Sequence, residues 1–188
     1  SVSAFLLNRS SDLLVSTTND NNDLFQSSHL TLLVSYTIFA IILVIESLLL
    51  GWEKWALLII IVGITMAWVL HIRHNTPSVV RIWVYAILMM GCYFFYGIHQ
   101  TSTFDLALVM AGVIMINTLT GKKSLITLCE FTYFVTMAYE LVNMMATGEF
   151  FDVLIITRSI LHICLVIFIG RFAKIIIDKW MQVMKRSE

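Results

Sequence analysis

The sequence predicts an all-helical, polytopic membrane protein with six transmembrane helices arranged as three hairpins. The composition is 59% hydrophobic and only 13% charged, whereas an ordinary soluble domain carries about 25% charged residues. The mean hydropathy is +0.88, and apolar runs of about 20 residues, enough to span a bilayer, recur between short polar breaks. This composition excludes a soluble enzyme, a disordered chain and a disulfide-rich secreted module, and it makes the lipid bilayer the first expected partner.

The predicted spans follow one another along the chain with only a few polar residues between them. Each run is continuously apolar rather than alternating, which favours helices over the strands of a membrane barrel. The single proline, Pro77, lies in one of the breaks, as expected of a residue that interrupts helices. The spans cover Leu30–Leu50, Trp52–Leu70, Ile82–Ile98, Phe104–Leu119, Ser124–Ala146, and a last run that starts near Phe151 and continues past Gly170.

Three regions follow from this pattern. Residues 1–29 form a polar lead rich in Ser, Thr, Asn and Asp, which is either a flexible cytoplasmic segment or a short packed helix. Residues 30–170 form the six-helix transmembrane domain. Residues 171–188 form a charged helical extension that we expect to enter the cytoplasm.

The distribution of basic residues predicts the orientation. On a path of six spans, nine basic residues fall on one side of the membrane, and only Lys54 falls on the other. Cytoplasmic loops carry the excess of Lys and Arg, so both termini are expected in the cytoplasm. The nine residues are Arg73, Arg81, Lys122, Lys123, Arg171, Lys174, Lys179, Lys185 and Arg186.

The last helix carries an apolar seam with the 4, 3, 4, 3 spacing of a coiled coil. We expect this seam to join two copies of the chain in a homodimer. An amphipathic helix lying on the inner leaflet, with its Lys and Arg side chains against anionic lipid, is the alternative. The seam consists of Ile169, Ala173, Ile176, Trp180 and Val183.

Ionisable and polar side chains inside the spans are candidates for function, because they are costly in lipid. Counted at 1.5 Å per residue, six of them reach similar depths in the outer half of the bundle. One interpretation is a ligand pocket or a proton-sensitive cluster; the other is a structural Glu140–Arg158 ion pair with His162 nearby. The six residues are Glu46, Tyr139, Glu140, Asn143, Arg158 and His162.

The remaining polar and reactive residues give weaker signals. Glu130 lies deeper and has no evident cationic partner, and Asn117 is expected at the membrane interface. The three cysteines lie in apolar runs without metal-binding spacing, so we expect them to pack in the core. We expect no metal, cofactor or nucleic acid partner, and the absence of catalytic motifs makes catalysis by this chain improbable.

The six hairpinned spans, the short loops and the charged exit stretch from Gly170 to Glu188 resemble the N-terminal membrane-sensor regions of bacterial hybrid histidine kinases. Similar multi-helix regions precede cyclase domains. The resemblance covers architecture over most of the chain, and no motif is specific enough to transfer functional residues.

The resemblance implies the sensory input domain of a homodimeric two-component receptor in a bacterial plasma membrane. A histidine kinase catalytic domain would then lie beyond the C-terminus, and the signal would be a small or lipophilic ligand or a membrane property. A small transporter or channel subunit with Glu46, Glu130 and Arg158 along its path is the alternative, and a passive membrane anchor is a third possibility.

Overall fold

The computed structural model describes residues 29–73, 76–99, 103–147 and 153–187, and it confirms the all-helical polytopic fold. The predicted lead lies outside the described residues except for His29, which begins the first helix. The described residues form α1 (His29–Leu50), α2 (Lys54–Ile72), α3 (Ser78–His99), α4 (Thr103–Thr118), α5 (Lys123–Thr147) and α6 (Val153–Ser187).

The helices differ in length in a way that matters for the membrane. Five of the described helices are long and apolar enough to cross a bilayer, so the protein is an integral, multi-pass membrane protein. α4 has 16 residues, which is about 24 Å at 1.5 Å per residue. α6 has 35 residues and extends for about 52 Å, well beyond the hydrocarbon thickness of about 30 Å.

Short turns join the helices into antiparallel neighbours. Gly51 and Gly121 have φ angles of 72° and 68°, a left-handed conformation that residues with a Cβ adopt only at a cost. This conformation lets the chain reverse direction within a few residues between α1 and α2 and between α4 and α5. We call the bundle end with the α1–α2 turn the outer end, and the end with Gly121 the inner end.

The centre of the bundle is formed by α3, α4 and α5. α4 packs against α3, α5 and α6, while α3 also contacts α2 and α5. Three tyrosines on α3 and α5, namely Tyr85, Tyr93 and Tyr133, are completely buried. The Tyr93 hydroxyl donates a hydrogen bond of 2.9 Å to the Leu106 carbonyl, which ties α3 to α4 inside the core.

α1 and α2 form a hairpin at the edge of the bundle. Gly63 makes room for the Tyr36 hydroxyl, and the Trp68 indole donates to Thr37 Oγ1 at 3.2 Å. Their remaining surface is apolar and exposed, including Leu49 and Leu58 at 80% and 67% exposure. Such a surface suits lipid, which solvates aliphatic side chains as well as a protein core does.

At Gly97, α3 approaches α5 closely. A Cβ at this position would overlap the Thr136 methyl group and lie 3.2 Å from Leu106 Cδ2. Gly91, on the same helix, is exposed and has nothing within 4 Å of its would-be Cβ. Small residues at helix crossings of this kind let membrane helices pack by van der Waals contact.

These two glycines give a matched test of the α3–α5 packing. We expect Gly97→Ala to lower the free energy of unfolding by about 1–3 kcal/mol through overpacking, and Gly91→Ala to leave it unchanged or slightly raised. Thr136→Ser removes the overlapping methyl group and is expected to restore much of the loss in Gly97→Ala. Unfolding in mixed detergent–SDS micelles measures all three, and equal effects of the two glycine substitutions would contradict the packing.

Candidate functional site

The interior face of α6 is a single stripe that continues well past the middle of the helix. Its residues recur every three or four positions, so they lie on one face, and they pack against α4 and α5. The stripe consists of the buried residues Ser159, His162, Val166, Gly170, Ala173 and Ile177. Bundle packing therefore continues beyond residue 170, where the sequence predicts the transmembrane domain to end.

A largely buried ion pair joins α5 and α6 in the inner half of the bundle. Lys174 Nζ donates to Glu130 Oε2 at 2.6 Å, and the two side chains are only 23% and 16% exposed. Gly170 lies one turn before Lys174, and a Cβ on it would collide with the Glu130 carboxylate. The missing side chain thus allows the carboxylate to lie directly against the α6 backbone, with the ammonium group beside it.

A second ion pair closes the same interface nearer the inner end. Lys123 Nζ lies 2.5 Å from Asp178 Oδ1, with the side chains 44% and 47% exposed. Exposed pairs of this type contribute little to stability, because water and salt screen them. Together the two pairs nevertheless define the antiparallel register of α5 and α6.

This register places Glu140 level with His162. Ten residues along α5 from Glu130 lead to Glu140, and ten residues back along α6 from Gly170 and Lys174, which both contact Glu130, lead to positions 160–164. Both side chains face the interior, with 5% exposure for Glu140 and 6% for His162. A carboxyl and an imidazole therefore share one depth within the apolar bundle.

The predicted Glu140–Arg158 ion pair is wrong. Arg158 lies on the exposed face of α6, one helical turn nearer the outer end than the level of Glu140, and no ion pair joins the two among the described residues. Counting residues from the turn gave the approximate depth of each group. It did not give the side of the helix on which each group lies. Arg158 and the buried Ser159 are neighbours in sequence, but their side chains point about 100° apart around the helix axis.

The six predicted site residues consequently divide into separate environments. Glu140 and His162 are buried, whereas Tyr139, Asn143 and Arg158 are exposed on the outside of the bundle. Glu46 is half-buried on α1, within electrostatic range of Tyr96 on α3. Of the six, only Glu140 and His162 are therefore buried, at a similar level of the bundle, and Arg158 lies within electrostatic range of His162 on the same helix.

One sequence interpretation of an inner-half residue also changes. Glu130 was expected to lack a cation, but Lys174 pairs with it; assigning Lys174 to a cytoplasmic extension concealed this partner. Asn117 lies in the last turn of α4, near a helix end as predicted, and is completely buried against the protein, where its side-chain nitrogen donates to the Val113 carbonyl at 2.9 Å. The four-residue spacing from Gly170 to Lys174 was the available sequence signal for the ion pair.

The predicted dimer seam is divided between two environments. Ala173 is 5% exposed inside the chain's own bundle, and Ile169 and Ile176 are half-buried. Trp180 and Val183 are 63% and 67% exposed. Only the end of the seam is therefore open to a second copy of the chain, and the homodimer remains a prediction.

A polar contact outside the predicted site links the outer ends of α2 and α3. His99 Nδ1 lies 2.9 Å from the Phe95 carbonyl oxygen, and Nε2 lies 2.5 Å from Glu53 Oε2. The two ring nitrogens thus connect the last turn of α3 with the N-terminal end of α2. Trp52 stacks on the same ring with a centroid distance of 4.7 Å, which adds an aromatic contact to the polar one.

The described residues contain no group of three or more His, Cys, Asp or Glu side chains that could hold a metal ion. The buried faces of α5 and α6 instead carry the Glu140 carboxyl, the His162 imidazole and the Ser159 hydroxyl, and the hydroxyl has no hydrogen-bond partner among the described residues. Such a set can bind a small polar group or exchange protons. Comparison with protein-family models, curated proteins and solved structures found no match for the chain.

The two ion pairs of the α5–α6 interface are expected to differ in strength. Glu130→Gln or Lys174→Met leaves one charge buried and should cost about 3 kcal/mol of unfolding free energy. The double variant should cost less than the sum, since neither charge remains. Lys123→Met is the control and should cost less than about 1 kcal/mol. Additive single losses in a double-mutant cycle would contradict a direct Glu130–Lys174 contact.

The Glu53–His99 contact predicts an acid-sensitive outer end. The pKa of Glu53 lies below its ordinary value of 4.5, because its own backbone N–H and the His99 side chain donate to the carboxylate. The resulting stabilisation is present above the ordinary pKa and is lost as the pH falls through the lowered one. Wild type should therefore melt at a higher temperature than Glu53→Gln near pH 6, and the difference should vanish in acid. A difference that persists unchanged to pH 3, about a unit below the ordinary range, would show that the carboxylate charge is irrelevant.

Proposed function

We propose that the chain is the membrane-embedded sensory input domain of a signal-transducing receptor, which relays a stimulus through α6. The observation that carries this proposal is the continuity of α6 over 35 residues. The helix packs inside the bundle as far as Ile177 and then presents an exposed end. A movement imposed on its packed part is therefore transmitted along one rigid element.

The ion pairs suggest how such a movement is made discrete. Lys174 and Asp178 are four residues apart on α6, a spacing that also allows them to pair with each other. In the structure they pair instead with Glu130 and Lys123 of α5. Exchange of Lys174 from Glu130 to Asp178 would release both contacts with α5 together, and packed helices move between such alternatives in small steps.

The stimulus would act at the level of Glu140 and His162. A small or lipophilic ligand, a proton or a change in the bilayer that alters the packing there shifts the balance between the two sets of ion pairs. A shift of this kind requires only that the stimulus favours one packing over the other.

Orientation and assembly complete the proposal. The basic residues of the inner end support a cytoplasmic location of both termini under the positive-inside rule, and the proposed receptor would lie in the plasma membrane of a bacterium. Trp180 and Val183 would join two copies, and a histidine kinase output domain would follow. A transporter or channel is less well supported, because Glu130 is paired, Arg158 is exposed on the outside, and Glu46 lies towards the opposite end of the bundle from Glu130. A passive anchor is the remaining alternative.

A chimera tests the relay directly. The chain is joined through α6 to the dimerisation and catalytic parts of a well-characterised histidine kinase, and autophosphorylation is measured in membranes. Disrupting the switch with Glu130→Gln or Lys174→Met should change basal activity severalfold, whereas Lys123→Met should have a smaller effect. Single-residue insertions after Val183, which rotate the helix by about 100° each, should alter activity periodically.

The controls separate the receptor from its alternatives. Equal activity in all variants, at equal expression and helicity, would show that the bundle is only an anchor. Solute flux in proteoliposomes containing the unfused chain, abolished by the same ion-pair variants, would instead establish a transporter.

A further inference from the structure

Basic side chains gather at the inner end of the bundle, where four helix ends meet. His29 begins α1, His71 lies in the last turn of α2, Arg81 lies in the first turn of α3, and Lys122 precedes α5. Arg81, Lys122 and His71 all lie within electrostatic range of His29. We call these four residues the inner basic cluster.

Three members of the inner basic cluster have no acidic partner in the part of the chain that the structure describes. His29, Arg81 and Lys122 form no ion pair there with Asp or Glu. The nearby acidic residue on α6, Asp178, is engaged by Lys123. Like charges held together in this way repel one another unless an anion lies between them.

Several hydrogen-bonding atoms in or beside the cluster are buried without a hydrogen-bond partner among the described residues. His29 is 3% exposed, and neither of its ring nitrogens has a hydrogen-bond partner among the described residues. The same is true of Arg81 Nε and of the hydroxyl of the fully buried Tyr85, one turn further along α3. Buried polar atoms nearly always have partners. Since Arg81 Nε–H and the Tyr85 hydroxyl can both donate, an acceptor group between the helix ends would satisfy them.

Lys122 also loses hydration without gaining an acidic partner among the described residues. Its side chain is half-buried in the α4–α5 turn, and burial lowers the pKa of its ammonium group. An anion beside it would compensate for the lost hydration and favour the charged form.

We propose that the inner basic cluster binds the phosphate group of an anionic lipid headgroup. Phosphate offers several acceptor oxygens and negative charge, which Arg and Lys recognise together. The surroundings favour a lipid over a free ion, because Ile72 and Val79 beside the cluster are 69% and 54% exposed. Acyl chains can cover this apolar surface while the headgroup reaches the basic side chains.

Binding at this site would fasten the inner ends of α1, α2 and α3 to the α4–α5 turn. The site involves neither the Glu130–Lys174 pair nor the exposed end of α6. It therefore stands independently of the proposed receptor function. Basic pockets between helix ends on the cytoplasmic side of membrane proteins are suited to anionic headgroups for the same electrostatic reason.

Native mass spectrometry of the full chain, released from micelles with equal amounts of phosphatidylglycerol and phosphatidylcholine, tests the proposal. Wild type should retain phosphatidylglycerol preferentially. Arg81→Gln and Lys122→Gln should each weaken retention by about fivefold, as expected for one interfacial charge. Arg81→Lys should keep most of the preference. Lys123→Gln, next to the cluster but engaged with Asp178, is the matched control and should retain the lipid.

A second measurement keeps the test decisive if a glutamine variant folds poorly. Phosphatidylglycerol should raise the melting temperature of wild type above that in phosphatidylcholine alone, because a ligand of the folded state stabilises it. Equal stabilisation by inorganic phosphate would overturn the assignment to a lipid. The proposal is also wrong if wild type shows no preference for phosphatidylglycerol. Asp20 and Asp23 are acidic residues of the N-terminal lead. A lipid preference that emerges only in the double variant Asp20→Asn/Asp23→Asn would show that these carboxylates, rather than a lipid, occupy the site in wild type.

Discussion

The contact of Glu130 with Lys174 over Gly170 is the interaction on which the α5–α6 interface depends. Two charges of opposite sign are held among apolar helices, where leaving either without its partner would be costly. Gly170 allows the carboxylate to approach the α6 backbone, so steric and electrostatic requirements select the same register. Sliding either helix by one turn would break the pair and drive a side chain against the carboxylate.

The rest of the interface follows from that register. Glu140 and His162 come to one depth, and Arg158 is left on the outside of the bundle. The interior stripe of α6 extends to Ile177, so the exposed end of the helix is shorter than the sequence suggests. The α5–α6 interface therefore joins a group of titratable residues near the outer end to the part of α6 that leaves the bundle.

The two ends of the bundle have different chemistry. At the outer end, the contact of the Glu53 carboxylate with the His99 ring ties α2 to α3. At the inner end, Arg81 Nε and the Tyr85 hydroxyl are buried without a hydrogen-bond partner among the described residues. We therefore expect acid to weaken the outer end and the proposed anionic headgroup to strengthen the inner one.

The fold was predictable because hydrophobic runs and polar breaks report directly on burial in lipid. Predicted and observed ends agree within a few residues for most helices; for example, α5 was expected from Ser124 to Ala146 and extends from Lys123 to Thr147. The site was less predictable. Depth can be counted along a helix, but pairing needs the rotation of each helix about its axis, and one position separates the exposed Arg158 from the buried Ser159.

The relative position of α5 and α6 tests the account most directly, and pairwise cross-linking measures it. Cys92, Cys129 and Cys164 are first replaced by serine, and cysteine pairs are then introduced at 140 with 162 and at 140 with 158. A short bifunctional thiol reagent should join positions 140 and 162 quickly in membranes and leave 140 and 158 largely unjoined. Faster cross-linking of 140 with 158 would contradict the register set by Glu130 and Lys174.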